Sequence, residues 1–332
     1  MSTKTHGITK LLESEFVIKY LKKNIPELAD KYDFSDLTVT QIKDVLRPKS
    51  YHIVLRFDSK SIKNMPIFCS AHSHENRENA YKALSFMYDN GFKNTSIFLP
   101  KPLFYDNKFK AFFYQGVDGE NLLYYIKKEN FDITSYLEQA STWLAQLHSI
   151  PVTSSENFNP KNSRIKTIVP GPKHFFNSIE KKFPEYLKTI KTHFNNLVEE
   201  EEKNLKSIDK LVMIHGDFHP ENIIINKTDG KVSAIDFTDM CLADWARDIG
   251  NFLQQLRFMA SGKISSKEIE AYENFFLSDY MKKRSIKNNS EIEKRIKLYK
   301  SWAALRSAIY FLTKVDSEVD NAETVLKEVT KP

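Results

Sequence analysis

The hydrophobic pattern of the chain changes near residue 116, and this change restricts the folds that the chain can adopt. Before that point, short apolar runs alternate with polar segments, which is typical of strands joined by turns. These runs cover residues 37–45, 51–57, 66–72, 101–105 and 110–115. One helical segment, with Ala80, Leu84 and Met87 on one face, interrupts them. Helical spacing dominates beyond residue 116, so the sequence predicts an α+β protein with its sheet near the N-terminus.

The length of 332 residues corresponds to roughly two domains, which we place at residues 1–115 and 116–332. An apolar fraction of 41% and a charged fraction of 28% are ordinary for a globular protein. No run reaches the roughly 20 apolar residues of a membrane span. The first ten residues also lack the apolar core of a signal peptide. We therefore expect a cytoplasmic protein without a membrane partner.

Charge, cysteine and glycine content exclude several further classes. The net charge is +6, and residues 281–332 carry 12 Lys or Arg against 7 Asp or Glu. No nucleic-acid motif accompanies this basic tail, so it is interpreted as solvated helix faces and nucleic acid is not an expected partner. Cys69 and Cys241 cannot form a disulfide framework. None of the nine glycines shows the spacing of a dinucleotide fingerprint or a Walker A loop.

Reactive side chains are concentrated in residues 211–252, where short apolar runs flank polar loops. The runs cover residues 211–214, 223–225 and 232–235, with a turn predicted at Thr228-Asp229-Gly230. The first loop contains His215, Asp217, His219 and Asn222, and Asp236 follows the last run. Loops held by rigid strands are the usual location of reactive groups. This segment is therefore the candidate site.

The order of these residues suits phosphoryl transfer. That reaction needs one carboxylate to orient the acceptor hydroxyl and take its proton, and hard oxygen ligands to hold Mg²⁺ on the phosphates. Asp217 fits the first role. Asn222, five residues later, and Asp236, after a short hairpin, fit the second. Turn and cap chemistry explains one such residue easily, but it explains the ordered set of three less well.

Three segments, HGDFHPEN (215–222), IDF (235–237) and DWARDI (244–249), resemble the aminoglycoside phosphotransferases and choline-kinase-like small-molecule kinases. The resemblance implies a two-lobed protein-kinase-like fold, with a small mixed β-sheet lobe, a larger mainly helical lobe and ATP between them. It implies that Asp217 is the catalytic base and that Asn222 and Asp236 are Mg²⁺ ligands. It also implies that His215, His219 and Asp248 brace the loop.

The chain departs from this family pattern on the nucleotide side. The resemblance places a phosphate-binding lysine on the third strand, where this sequence has Ser70. Lys49 and Arg56 are the candidate replacements, and Glu75 or Glu78 would ordinarily pair with that lysine. In the same pattern, Gln115 and Val117 of the interlobe linker would contact the nucleotide. Thr238 stands where a protein kinase has glycine.

Two other functions remain open. A non-catalytic nucleotide-binding module, similar to a pseudokinase, is suggested by the missing lysine. A metal-dependent hydrolase would use His215, Asp217, His219 and Asp236 to hold two metals. Protein kinase activity is disfavoured, because no A-P-E segment follows Asp236 and the chain has no glycine-rich loop.

The expected partner is a small hydroxylated substrate, with ATP or GTP as the phosphate donor. Sugars, amino alcohols, nucleosides and antibiotics all remain possible acceptors. The basic tail lowers the expectation of a polycationic aminoglycoside. The sequence does not determine the oligomeric state.

Overall fold

The computed structural model describes residues 7–47, 50–62, 65–75, 77–208 and 210–329. The chain divides into two compact units. The first contains Met1–Glu120 and Ile224–Thr238, and the second contains Asn121–Ile223 and Asp239–Pro332. Among the described residues, no helix is long and apolar enough to span a membrane.

A five-stranded antiparallel sheet forms the centre of the first unit, with strands in the order β1-β2-β3-β5-β4. Its strands are β1 (Thr38–Arg47), β2 (Ser50–Asp58), β3 (Ile67–His72), β4 (Lys101–Asp106) and β5 (Ala111–Gln115). The helices of this unit are α1 (Ser14–Asn24), α2 (Pro26–Lys31) and α3 (Arg77–Met87). We expected a mixed sheet, but every pairing is antiparallel. β4 and β5 follow each other closely in the sequence, and so short a connection joins only antiparallel strands.

One face of this sheet is apolar and the other carries polar groups. Ile53 and Leu55 of β2 and Cys69 of β3 are fully buried in the core beneath α1. Side chains alternate along a strand, so His52, Val54 and Arg56 lie on the opposite face of β2. Ser70 and His72 lie beside them on β3, because His52 pairs with His72 and Val54 with Ser70.

A second, three-stranded sheet in the order β6-β8-β9 carries the predicted hairpin. Its strands are β6 (Gly119–Asn121), β8 (Ile223–Asn226) and β9 (Val232–Ala234). The predicted turn lies between β8 and β9, where Gly230 has φ +70° and its N–H donates to the Asn226 carbonyl. Strand β9 of the hairpin ends two residues before Asp236.

The second unit is mainly helical. Its helices are α4 (Leu122–Ile126), α5 (Thr134–Ser149), α6 (Pro172–Lys182), α7 (Pro184–Asn204), α8 (Ala246–Ala260), α9 (Ser266–Lys283), α10 (Ser290–Thr313) and α11 (Val319–Leu326). Strands β7 (Val212–Ile214) and β10 (Cys241–Ala243) form a short antiparallel pair. Helix α8 lies in the interior, and Phe252 on it packs against Phe276 of α9 with ring centroids 4.0 Å apart. Helices α6 and α7 are separated at Phe183, because Pro184 cannot continue a preceding helix.

Candidate active site

The loop that follows β7 is clamped by a buried carboxylate from helix α8. Asp248 is fully buried and accepts the N–H groups of His215, at 2.7 Å, and of Gly216, at 2.9 Å. An ionised carboxylate that accepts backbone N–H groups forms strong hydrogen bonds. Asp248 therefore holds the backbone at the start of this loop.

A buried histidine supports this carboxylate from helix α5. His148 Nε2 lies 3.2 Å from Asp248 Oδ2, and His148 Nδ1 lies 2.7 Å from the Tyr280 hydroxyl. Burial lowers the pKa of His148 in spite of the neighbouring carboxylate. Burial also opposes ionisation of Asp248, but the bonds from His148 and the His215 N–H outweigh it and lower the pKa of Asp248. A neutral imidazole thus donates to an ionised carboxylate at the base of the loop.

Gly216 allows the loop to turn sharply before Asp217. Its φ is +81°, and a Cβ at this position would lie only 2.4 Å from the carbonyl oxygen of Asp239. No other residue type combines this backbone conformation with so close an approach. The turn brings Asp217 to the surface of the loop.

The Asp217 carboxylate is one-third exposed and has a partner on each oxygen. Oδ1 accepts from Arg306 at 3.1 Å, and Oδ2 lies 3.5 Å from His219 Nε2. Burial opposes ionisation of Asp217, but the charge of Arg306 and the contact with His219 outweigh it and hold the pKa well below its usual range. Asp217 is therefore a carboxylate at neutral pH. Its exposed lone pairs can accept a hydrogen bond from a hydroxyl group.

Asn222 and His219 keep the end of the loop in place. The Asn222 side-chain amide donates to the Asp217 carbonyl at 3.0 Å, which leaves the Asn222 amide oxygen free to coordinate a ligand. His219 Nδ1 accepts the Glu221 N–H at 3.3 Å and caps the short turn Pro220–Asn222. These bonds explain why a histidine and an asparagine flank the turn.

Arg306 of helix α10 was missed from the sequence. It bridges Asp217 and Asp239, whose Oδ2 accepts from the second guanidinium nitrogen at 3.0 Å. A single arginine in the apolar stretch 301–312 was the signal that could have identified it.

Asp236 belongs to the first unit and has an uncommon backbone conformation. Its φ is +62°, and half of its side chain is exposed. The Thr238 hydroxyl donates to Asp236 Oδ1 at 2.6 Å. Asp tolerates this left-handed conformation better than most residues. The exposed oxygens leave the carboxylate accessible to a ligand.

A polar cluster that the sequence analysis did not anticipate lies beside Asp236. Arg77, the first residue of α3, donates to Thr238 Oγ1 at 2.6 Å and lies 3.8 Å from Asp236 Oδ1. It also pairs with Glu75 at 2.9 Å and lies 3.2 Å from His52 Nε2. Burial is the main cause that lowers the pKa of His52 to about 4, and the positive charges of Lys43 and Arg77 add to it. His52 is therefore a neutral acceptor of a hydrogen bond from Arg77. The resemblance implies a strand lysine as the partner of Glu75 or Glu78. In this structure Glu75 pairs instead with Arg77 of α3.

The remaining nucleotide-side candidates lie elsewhere in the first unit. Arg56 is bound by Asp58 at 2.9 Å and by Asp118 at 2.8 Å. Gln115 is buried at the end of β5, and its amide donates to the Met65 carbonyl at 3.3 Å.

Three further positions complete this set. Ser70 and Val117 are both buried. Lys49 lies outside the described residues.

The donor set is suited to a hard cation bound together with phosphate. Within the described ranges, no group of three or more His, Cys, Asp or Glu side chains is arranged to hold a metal ion by itself. Mg²⁺ usually takes only one or two protein oxygens and completes its shell with phosphates and water. Asp236 in the first unit and Asn222 in the second each carry an oxygen of the type that Mg²⁺ prefers.

Comparison with known proteins identifies the family. The model of the phosphotransferase enzyme family named APH matches residues 50–283, and the chain belongs to this family. The comparison with curated protein sequences returns no match.

Solved structures share the fold at low sequence identity. An ethanolamine kinase from Plasmodium vivax superposes with a TM-score of 0.58 and 19% identity, over 95% of this chain and 87% of that one. A spectinomycin phosphotransferase, solved with ADP and spectinomycin, gives 0.56 and 17%, over 96% and 94%. A putative aminoglycoside phosphotransferase from Ralstonia eutropha gives 0.61 and 11%, over 96% and 94%. The predicted protein-kinase-like fold is therefore confirmed.

Proposed function

We propose that this protein is a small-molecule kinase that transfers the γ-phosphoryl group of ATP to a hydroxyl group of a small acceptor. The observation that carries the proposal is the state of Asp217. It is an ionised, partly exposed carboxylate on a loop that Asp248 holds rigidly. Such a group can orient a hydroxyl and accept its proton as the phosphoryl group leaves the donor.

The residues around Asp217 fix its orientation. Arg306 and His219 hold the two carboxylate oxygens, and Asn222 holds the backbone of the same residue. Catalysis of phosphoryl transfer depends mainly on positioning and electrostatics. A carboxylate with a single orientation therefore suits this reaction better than a mobile one.

Asn222 and Asp236 would hold Mg²⁺, which neutralises the charge of the donor phosphates when it is bound. The half-exposed carboxylate of Asp236 and the amide oxygen of Asn222 support this assignment. GTP is an alternative donor. We also propose Gln115 and Val117 as nucleotide contacts.

The acceptor class is to be found by assay. The related structures are those of an ethanolamine kinase, a spectinomycin phosphotransferase and a putative aminoglycoside phosphotransferase, so amino alcohols and antibiotics are the first candidates. Purified protein with Mg²⁺ and γ-labelled ATP or GTP is incubated with these compounds, and with sugars and nucleosides. We expect label transfer to at least one hydroxylated acceptor.

The same assay separates the alternatives. Nucleotide binding without transfer to any acceptor would favour the non-catalytic binding module. Hydrolysis of phosphate esters with Zn²⁺ or Mn²⁺ and no nucleotide would favour the hydrolase instead. The absence of both binding and transfer would contradict the proposal.

A further inference from the structure

The first unit departs from two kinase patterns near Asp236. Ser70 stands where the family resemblance implies a strand lysine, and Thr238 stands where a protein kinase has glycine. Thr238 is bonded to Asp236 on one side and to Arg77 on the other. Thr238 therefore connects Asp236 to a buried cation through one hydrogen-bonded chain.

The geometry of that chain requires a hydroxyl group at position 238. A threonine hydroxyl has one proton and two lone pairs. It donates its proton to Asp236 Oδ1 at 2.6 Å and accepts from the Arg77 guanidinium at 2.6 Å. Glycine or valine could make neither bond. The direct Arg77–Asp236 separation of 3.8 Å is too long for a hydrogen bond, so Thr238 carries the connection.

Arg77 occupies a position that is unfavourable for an arginine. Only 3% of the residue is exposed, and its Nε is buried without a hydrogen-bond partner. It also stands at the first residue of α3, where the helix dipole disfavours a cation. Burial of an incompletely paired charge lowers stability. Stability alone therefore does not favour an arginine at this position.

Arg56, on the polar face of β2, already has partners elsewhere. Asp58 and Asp118 both bind its guanidinium, and its charge lies over the Phe68 ring. Arg77 faces Glu75 and the Thr238–Asp236 pair instead. Among the described residues, these contacts place Arg77 directly beside Asp236.

We infer that Arg77 and Thr238 are positioning residues that hold the Asp236 carboxylate in the orientation that binds Mg²⁺. Arg77, from the start of α3, thereby provides the cation that pairs with Glu75 in place of a strand lysine. This inference rests on the proposed function, because it assigns Asp236 to the metal that accompanies the nucleotide. It gives the buried arginine and the threonine hydroxyl one shared role at Asp236.

The test measures how strongly Mg²⁺ increases ATP affinity, by titration calorimetry with and without the metal. Thr238→Val removes the hydroxyl at nearly constant volume, and Arg77→Met removes the charge. We expect the Mg²⁺-dependent gain in affinity to fall about tenfold or more in both variants, as the loss of a charge-assisted hydrogen bond implies. ATP affinity without metal should stay within about threefold of wild type. A purely structural role would change both affinities together.

Two matched variants complete the test. Thr238→Ser restores the hydroxyl and should recover the wild-type gain. Lys82→Met removes an exposed cation of the same helix, which pairs with Glu78, and should have no effect. If Arg77→Met does not fold, the inference is tested by Thr238→Val alone.

An unchanged Mg²⁺-dependent gain in Thr238→Val would overturn the inference. An equal loss of both affinities in that variant would also overturn it. A wild-type protein whose ATP affinity does not respond to Mg²⁺ would instead contradict the proposed function.

Discussion

The loop of the second unit and the polar face of the first unit are built in different ways. The loop places His215, Asp217 and Asn222 within eight residues, and one short helix turn and one carboxylate hold it. At the polar face, hydrogen bonds connect His52 of β2, Arg77 of α3 and Thr238 in the turn after β9. Local spacing therefore determines the first group, whereas strand register and long connections determine the second.

This difference explains why the loop residues can be recognised in the sequence and the residues around Arg77 cannot. A motif with fixed spacing survives as a recognisable pattern because its members share one backbone segment. A cluster assembled from distant elements can exchange its members, as Arg77 and Thr238 illustrate, without leaving a motif. Three perturbations test the contributions of these residues to activity and stability.

The largest effect is expected from substitution of Asp217. Asp217→Asn removes the proton acceptor while retaining shape and most hydrogen bonds. We expect turnover with the identified acceptor to fall about 100- to 10,000-fold, the usual contribution of a general base, while the Kd for MgATP changes less than about threefold. Steady-state kinetics and calorimetry check both values. A variant with more than one-tenth of the wild-type turnover would remove Asp217 from its proposed role.

The second effect tests whether the loop depends on the backbone at Gly216. Gly216→Ala combines a left-handed conformation with a Cβ placed 2.4 Å from the Asp239 carbonyl oxygen. We expect the free energy of unfolding to fall by about 2 to 5 kcal/mol in urea denaturation.

Gly262→Ala is the matched control for this variant. Gly262 has a similar φ of +73°, but an added Cβ would meet nothing within 4 Å. It should lose only about 1 to 2 kcal/mol. Equal losses in the two variants would show that the close approach to Asp239 contributes nothing.

The smallest effect concerns the dependence of stability on pH. Burial lowers the pKa of His52, to about 4, and also the pKa values of His72 and His148. The unfolded chain therefore takes up protons near pH 6.5 before the folded one does. Stability should be complete above this pH and should fall as the pH decreases, by up to about 1.4 kcal/mol per pH unit for each histidine.

His148→Gln isolates one contribution to this slope. The variant retains a side chain that can bond to Asp248 and Tyr280 but cannot take up a proton in this range. Urea denaturation at several pH values between 5 and 7.5 should give a shallower slope than wild type. An unchanged slope would show that His148 does not contribute.

The sequence was sufficient for the fold class and for the composition of the loop. The change of hydrophobic periodicity predicted the α+β organisation, and the short spacing of His215, Asp217 and Asn222 marked the loop. Arg77 and Arg306 were not found, because strand pairing and helix packing, rather than spacing, bring them to Asp236 and Asp217. The position of a cation in the first turn of α3, against the helix dipole, was the available signal for Arg77.

The most direct test of the central claim is thermal unfolding of wild type and Asp236→Ala, each with and without MgATP. A ligand at about 100 times its Kd adds roughly 2.7 kcal/mol of stability, which corresponds to a rise of a few degrees in Tm. We expect a Mg²⁺-dependent rise in wild type that is lost in Asp236→Ala. The absence of a rise in wild type, or an equal rise in both proteins, would contradict the assignment of Asp236 to the metal–nucleotide complex.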